Sequence, residues 1–219
     1  MRLLCISDIH GNAKALERAL AIGQMHGCGK VLVAGDLCFP GPEPLRCWML
    51  LTAHRAQCVQ GLTDRALWAI DPDKLTPSTP LEIERVERLR ATREQLGDVI
   101  LARLGRLPTT FRMAVEDGGE LLLVHGCPVD PTTAMTHDMS DAELSALIGD
   151  EPADTVICGA SHVPFDRTVG TTRIVNVGSV GEVPSGQIAH AAIVTTSPAG
   201  VQVQFLPVPL QEPDIAPEP

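Results

Sequence analysis

Residues 3–12 read Leu3-Leu4-Cys5-Ile6-Ser7-Asp8-Ile9-His10-Gly11-Asn12, a short apolar run followed by polar residues and a glycine. The apolar part predicts a buried strand, and residues 8–12 predict the loop that leaves it. Asn12 is a good N-cap residue, so we expect a helix from this point to about residue 24. A strand, a polar loop and a helix in this order are typical of a parallel βαβ unit.

The same order repeats in the next part of the chain. Residues 31–34 predict a second strand, residues 43–53 a second helix, and residues 56–60 a third, short strand. In sheets built from such units, ligands bind outside the carboxyl ends of the strands. Later strands are predicted near residues 111–115, 121–124, 155–158, 173–176, 190–195 and 201–207, with a helix near 141–148.

Residues 67–107 differ in character from the rest of the chain. Residues 81–104 are rich in charge and carry apolar side chains near helical spacing, so we expect a helical insertion over about 67–107. Two interpretations remain open for it, a cap over the site and a plain pair of surface helices. We expect one domain over residues 1–210, followed by a flexible, Pro-rich tail at 211–219.

The overall composition disfavours several classes of protein. The chain has 17 Lys and Arg against 27 Asp and Glu, a formal net charge of −10, whereas sequence-independent nucleic-acid binding needs a basic surface. No apolar run is long enough to span a membrane, and the residues before Ser7 are too few for a signal peptide. Seven scattered cysteines without a C-x-x-C pair predict free thiols. We therefore expect a cytoplasmic protein with neither a membrane partner nor a sequence-specific nucleic-acid partner.

Five potential metal ligands follow predicted strands. Each has an ordinary alternative, because an Asp in such a loop is more often a turn former and a lone His more often a structural residue. Their shared position matters more, since parallel strands deliver their loops to one edge of a sheet, and two ligands that lie two apart on an extended segment can point the same way. Carboxylate and imidazole groups together suit manganese first, with iron, zinc or nickel as alternatives. The five residues are Asp8, His10, Asp36, His125 and His162.

Six ordered motifs resemble those of the calcineurin-like metallophosphoesterases, most closely the compact bacterial and archaeal phosphodiesterases. The resemblance runs from Met1 to about Gly181. It implies an α/β metallophosphoesterase fold, a two-sheet β sandwich flanked by helices (αββα). The motifs are Ser7-Asp8-Ile9-His10-Gly11-Asn12, Gly35-Asp36, Gly61-Leu62-Thr63-Asp64, Val124-His125-Gly126, Gly159-Ala160-Ser161-His162 and Asn176-Val177-Gly178-Ser179-Val180-Gly181.

The resemblance also implies which residues hold metal. In the family, a first ion is held by residues that match Asp8, His10, Asp36 and His162, and the residue that matches Asp36 bridges to a second ion. The second ion is completed by a residue that matches His125, an Asn and a His. This chain has Leu62 and Ala160 at those last two positions, and neither side chain can bind a metal. We therefore expect one well-formed metal site and a weak second site.

Two neighbouring residues are candidate catalytic groups by the same resemblance. Thr63 stands where many relatives place a His near the leaving group, and Asp64 matches the acid that follows it. A threonine hydroxyl does not titrate near neutral pH, so the loss of a general acid would cost about 10²–10⁴ in rate. The plain interpretation is a turn with ordinary hydrogen bonds, in which Asp64 orients the loop. His137 and Asp138 are the first pair to examine as a replacement acid or ligand.

The resemblance implies a metal-dependent phosphoester hydrolase, in particular a phosphodiesterase that uses a metal-activated water. Its substrate would be a small phosphate ester, with nucleotides among the candidates. The alternative is a catalytically silent relative that binds one metal or a phosphate ligand. The retained ligands favour the enzyme, whereas Leu62, Thr63 and Ala160 favour the silent relative.

Overall fold

The apolar run near the N-terminus forms a strand, β1 (Arg2–Ile6), at the centre of a five-stranded sheet. Leu4 and Ile6 face a helical layer, whereas Leu3 and Cys5 face a second sheet, because successive side chains of a strand point to opposite faces. All four side chains are fully buried. Burial on both faces explains why this strand reads as a continuous apolar run.

The computed structural model describes residues 1–116, 119–150, 153–183 and 188–210. Within these ranges the first sheet has the strand order β10-β9-β1-β2-β3, and β1 pairs in parallel with β2 and antiparallel with β9. The remaining strands of this sheet are β2 (Lys30–Val33), β3 (Gln57–Cys58), β9 (Ala189–Ser197) and β10 (Gly200–Val208).

The second sheet has the strand order β4-β5-β6-β8-β7, and it packs against the first through a shared apolar cluster. β6 pairs in parallel with both β5 and β8, so the ends of β5 and β6 lie on the same edge. The strands are β4 (Thr110–Ala114), β5 (Glu120–Val124), β6 (Thr155–Cys158), β7 (Phe165–Val169) and β8 (Thr172–Asn176).

Helices cover the outer faces of the two sheets. The described α helices are α1 (Ala13–Met25), α2 (Pro44–Ala53), α3 (Leu62–Ala69), α4 (Pro80–Leu104) and α5 (Asp141–Ile148), with a short 3-10 turn at Pro72–Lys74. α4 packs against α2 and α3, and it changes direction at Gly97, where φ is 70°. No helix in the described part of the chain is long and apolar enough to cross a membrane.

The predicted fold class, a two-sheet sandwich flanked by helices, is confirmed. Several local predictions were wrong in detail. The third strand is shorter than predicted, and α3 begins inside the segment predicted as a loop after Gly61. β7 was not predicted at all. The predicted tail at residues 211–219 lies outside the described residues.

Candidate metal centre

Loops that leave the carboxyl ends of four strands meet at one edge of the sandwich. Asp8 follows β1 and Asp36 follows β2, and these two loops are joined by hydrogen bonds from Asp8 N to Gly35 O (3.1 Å) and from His10 N to Asp36 O (2.9 Å). In the second sheet, the N–H of Gly159 donates to the carbonyl of His125 at 2.9 Å. These bonds hold the ligand-bearing loops of each sheet in fixed register.

The structure brings all five predicted ligands into two overlapping groups. Asp8, His10 and His162 form the first group, and Asp8, Asp36 and His125 form the second. Within each group the ligand atoms lie within 4.8 Å of one another. Asp8 is shared between the groups, and Asp36 connects them, because its Oδ2 lies 3.8 Å from His10 Nε2 and 3.6 Å from His125 Nε2.

The spacing in the first group fits a single cation. His10 Nε2 lies 3.2 Å from His162 Nε2 and 3.9 Å from Asp8 Oδ1, and His162 Nε2 lies 3.4 Å from the same oxygen. Two ligand atoms, each about 2.1 Å from one ion, lie roughly 3.0 Å apart at neighbouring octahedral corners and roughly 3.4 Å apart in a tetrahedron. The two distances that involve His162 fit these separations, and His10 Nε2 and Asp8 Oδ1 would approach each other by about 0.5 Å around a bound ion.

Two of the imidazole rings are oriented by backbone carbonyl groups. His10 Nδ1 lies 2.6 Å from Phe39 O, and His125 Nδ1 lies 2.7 Å from Ala34 O. Because a carbonyl accepts only, each Nδ1 carries the proton, which leaves Nε2 as the metal-binding atom of the neutral ring. Both Nε2 atoms face the carboxylate of Asp36. The rings are thus held in the tautomer that a metal ligand requires.

Asp8 is fully buried and its two oxygens have different surroundings. Oδ2 accepts the N–H of Ala160 at 3.0 Å, whereas Oδ1 has no hydrogen-bond partner among the described residues. Burial acts to raise the pKa of Asp8, but the close approach of His162 and the charges of His125, His162 and His10 outweigh it and lower that pKa. A buried, ionised oxygen without a donor is costly, and a cation between Asp8 and the two imidazoles would satisfy it.

His162 is the most exposed of the five ligands. Burial acts to lower its pKa, but the contact with Asp8 and the negative charges of Asp8, Glu182 and Asp36 outweigh it, so the pKa of His162 is raised. The ring of His162 therefore keeps its proton to a higher pH than a free imidazole does. A proton and a metal ion compete for this position.

Five non-glycine residues of this edge have positive backbone φ angles. They include Asp8 (53°) and His10 (48°), so the prediction that these two side chains converge because the segment is extended was wrong in its reason. A left-handed backbone at both residues aims the side chains at one point. Such conformations are costly outside glycine and cluster at functional sites, where the surrounding structure enforces them. The other three are Asp36 (56°), Ala160 (64°) and His162 (59°).

Asp64 holds the loop of Asp36 against the start of α3. Its carboxylate is fully buried and accepts three backbone N–H groups, from Asp36 (2.9 Å), Leu37 (3.0 Å) and Gly61 (3.0 Å). Burial and the neighbouring charge of Asp36 raise the pKa of Asp64 to about 6, against the opposing effect of the backbone donors from Gly61 and Leu37. Both carboxylate oxygens are therefore occupied by the backbone.

The three hydrogen bonds that Asp64 accepts position the loop of Asp36. Its Oδ1 accepts the N–H of Thr63 at 2.8 Å, which leaves Oδ2 directed toward His10 and His125. Gly61 has to be a glycine here, because a Cβ at this residue would lie 2.2 Å from Asp36 Oδ1. The loop between β3 and α3 thus fixes which oxygen of Asp36 faces the metal position.

The two departures from the ligand pattern lie at the same edge. Leu62, in the first turn of α3, is 53% exposed and offers no donor atom. Ala160 contributes only its N–H, to Asp8. Next to Leu62, the hydroxyl of Thr63 is buried and has no hydrogen-bond partner among the described residues. The second group therefore contains no ligand in place of the two lost side chains at positions 62 and 160.

Sequence reasoning did not single out one further carboxylate. Glu182 Oε2 lies 3.7 Å from His10 Nε2. Its position directly after the motif that ends at Gly181 was a signal that could have found it. Neither His137 nor Asp138 belongs to either candidate group among the described residues. Asp138 instead accepts a hydrogen bond from the hydroxyl of Thr136 at 2.5 Å.

Comparisons with known proteins show the family through one family model and the fold through solved structures. The model of the calcineurin-like phosphoesterase superfamily domain matches residues 1–198. A metallophosphoesterase from Sphaerobacter thermophilus has a similar fold, with a TM-score of 0.75 and 26% identity over 95% of this chain and 88% of that chain. A hypothetical protein from Pyrococcus horikoshii OT3 aligns with a TM-score of 0.78 and 22% identity over 94% and 87%. An archaeal phosphodiesterase aligns with a TM-score of 0.54 and 16% identity over 94% and 100%. A search of curated proteins gave no match.

Proposed function

The chain belongs to the calcineurin-like phosphoesterase superfamily, and we propose that it is a metal-dependent hydrolase of phosphodiesters. The observation that carries the proposal is the convergence of Asp8 Oδ1 on the Nε2 atoms of His10 and His162, with Asp36 Oδ2 beside His10 Nε2. A mixed set of carboxylates and imidazoles favours manganese, with iron, zinc or nickel as alternatives. Such a cation lowers the pKa of a bound water and polarises a phosphoryl oxygen.

The side chains divide into four roles under this proposal. Asp8, His10, Asp36 and His162 hold the first cation. His125 and Asp36 would form a weak second position, because two side chains are too few to hold an ion against water. Asp64 positions Asp36 through the backbone of its loop. Thr63 is adjacent to the reacting groups. Its N–H donates to Asp36 Oδ1, which leaves Asp36 Oδ2 available to the cation.

The substrate preference follows from charge. The chain carries a formal net charge of −10, and the ligand set itself includes two carboxylates. A phosphodiester carries one negative charge and a monoester carries up to two, so repulsion favours the diester. Because Thr63 cannot replace a titrating acid, esters with good leaving groups are the expected substrates. A nucleotide with an activated phosphoester belongs to this class.

A second function is favoured by a specific observation, the loss of ligand side chains at Leu62 and Ala160. In this alternative the chain binds one cation or a phosphate ligand and does not turn over. Hydrolysis distinguishes the two functions, because only the enzyme produces alcohol from ester. The alternative shares the metal site and so predicts the same metal affinity.

The test is hydrolysis of bis(p-nitrophenyl) phosphate by the chelator-stripped protein after addition of manganese. The matched control is Asp36→Asn, which keeps the shape of the side chain and removes its charge. We expect metal-dependent release of p-nitrophenol by the unmodified chain and a loss of at least about 10²-fold in the control. Activity that is absent with every metal tested, or that the control retains in full, would remove the enzyme function.

A further inference from the structure

The segment that carries Glu182 is attached to the loop that carries two of the metal ligands. The N–H of Val180 donates to Ser7 O at 3.0 Å, and the N–H of Gly181 donates to Asp8 O at 2.9 Å. The hydroxyl of Ser179 also donates to Asp8 O, at 2.9 Å. These three hydrogen bonds tie the backbone just before Glu182 to the loop that carries Asp8.

The contact between these segments is close enough to fix the backbone of the next residue. A Cβ at Gly181 would lie 1.8 Å from Ile9 O, so only a glycine permits this approach. The amide of Asn12 donates to Gly181 O at 3.2 Å, and the N–H of Glu182 donates to Ser179 Oγ at 3.0 Å. The main chain of Glu182 is thus held in place, while its side chain is free to turn toward the cluster.

The carboxylate of Glu182 meets the cluster at His10 Nε2, the atom that Asp8, Asp36 and His162 also approach. Its Oε2 lies 3.7 Å from His10 Nε2, compared with 3.8 Å for Asp36 Oδ2 and 3.9 Å for Asp8 Oδ1. All three distances exceed the roughly 3.0 Å between neighbouring corners of an octahedron with ligands about 2.1 Å from the ion, so each carboxylate would have to move about 0.7–0.9 Å closer to His10 Nε2 to share an ion with it. Glu182 approaches His10 as closely as the carboxylates of the first site do.

We propose that Glu182 is a fifth protein ligand of the cation held by Asp8, His10, Asp36 and His162. The inference rests on the proposed function, since it concerns the same ion. Three carboxylates and two imidazoles form a set suited to manganese, which accepts a high coordination number with oxygen ligands. A carboxylate added at the first position makes that position stronger as a single-metal centre, in a chain that lacks two ligands of the second position.

The side chain of Glu182 is 56% exposed, so two plain roles compete with ligation. It could pair only with a protonated His10, or it could donate a proton to the leaving group without touching the metal. Ligation strengthens metal binding in the absence of substrate, whereas a proton donor leaves that affinity unchanged. A carboxylate that pairs with protonated His10 opposes metal binding, because the proton and the metal compete for the ring. Metal affinity measured without substrate therefore separates ligation from both.

The experiment is calorimetric titration of manganese into the chelator-stripped protein. We expect Glu182→Gln to weaken the affinity by about 10- to 100-fold, and the matched control Glu87→Gln, at an exposed position on α4, to leave it unchanged. Binding by Glu182→Gln within twofold of the unmodified chain would overturn the assignment of Glu182 and leave the proposed function standing. Failure of the unmodified chain to bind, or equal binding by Asp36→Asn, would overturn both.

A second variant tests ligation through the identity of the donor atom. Glu182→Cys places a soft thiolate at the position, and soft ligands favour cadmium over manganese. We expect the ratio of cadmium to manganese affinity to rise at least about tenfold over that of Glu87→Cys, which carries the same seven native cysteines. An equal ratio in the two variants would contradict direct contact with the metal.

Discussion

His10 Nε2 lies 3.2 Å from His162 Nε2, closer than the 3.4 Å that separates His162 Nε2 from Asp8 Oδ1. Because Nδ1 of His10 donates to Phe39 O at 2.6 Å, the Nε2 of the neutral ring carries a lone pair directed at its neighbour. That lone pair can accept a proton carried on Nε2 of His162, or the two nitrogens can share a cation. The spacing of the pair therefore suits either a hydrogen bond or a metal ion.

Metal binding is expected to release a proton from His162. Its raised pKa means that the metal-free ring stays protonated to a higher pH than a free imidazole, so the affinity for metal rises with pH through and above about 6.5. In the metal-free chain this proton stabilises the fold below the pKa of the unfolded state. That contribution is lost as the pH rises through the raised pKa of the folded state.

Calorimetry in two buffers of different ionisation enthalpy counts these protons. At pH 6 to 6.5 we expect net release on binding of manganese, and His162→Asn should reduce the number released. His137→Asn, at an exposed position outside the cluster, is the control and should behave as the unmodified chain does. Metal binding without proton release in this range would contradict the raised pKa.

Asp64→Asn is expected to destabilise the protein. The substituted amide has one acceptor oxygen in place of two, so backbone N–H groups that Asp64 now satisfies would be left buried without a partner. Each such group costs about 1–3 kcal/mol. Urea unfolding measures the loss, and Asp98→Asn, exposed on α4, should leave the midpoint unchanged. A loss below about 0.5 kcal/mol in the free energy of unfolding would show that the hydrogen bonds of Asp64 contribute little to stability.

Leu62→Asn combined with Ala160→His is expected to restore the second metal position. Leu62 is 53% exposed, so an Asn there removes little packing. Ala160 has a φ of 64°, and a His tolerates the left-handed region better than most residues do. The double variant should bind two manganese ions per chain by elemental analysis, and each single variant should bind one tightly. One ion in all three variants would refute the account of the second site.

Thr63→His is expected to improve hydrolysis of esters with poor leaving groups. An imidazole titrates near neutral pH and can protonate a leaving alkoxide, an effect of about 10²–10⁴ in rate. Little change is expected for p-nitrophenyl esters, whose leaving group needs no proton. The measurement is kcat/KM for a series of esters of rising leaving-group pKa. A uniform change across the series would place residue 63 outside the proton-transfer step.

Much of the central sheet could be predicted because burial on both faces makes its strands apolar. The run at Leu3–Ile6 is the best example, and it also locates the loop of Asp8 and His10. β7 could not be found in this way. It lies at the edge of its sheet, where it pairs with β8 alone among the described strands. Its sequence carries the charged Asp166 and Arg167, and two of its five residues are exposed.

The candidate ligands could be predicted by residue type, but their geometry could not. The left-handed backbone at Asp8 and His10 is enforced by hydrogen bonds to the loop after β2, which no local pattern reveals. The closeness of Glu182 depends on Gly181, which contacts a segment more than a hundred residues earlier in the chain. The predicted domain limits and the catalytic roles of Thr63 and Asp64 remain predictions.

The central claim is that Asp8, His10, Asp36 and His162 bind one cation. Anomalous scattering at the manganese edge, recorded from crystals soaked in manganese, tests it most directly. The account predicts one strong peak within about 2.0–2.4 Å of a donor atom of each of these four residues. A peak elsewhere, two peaks of equal strength, or no peak at this edge of the sandwich would contradict it.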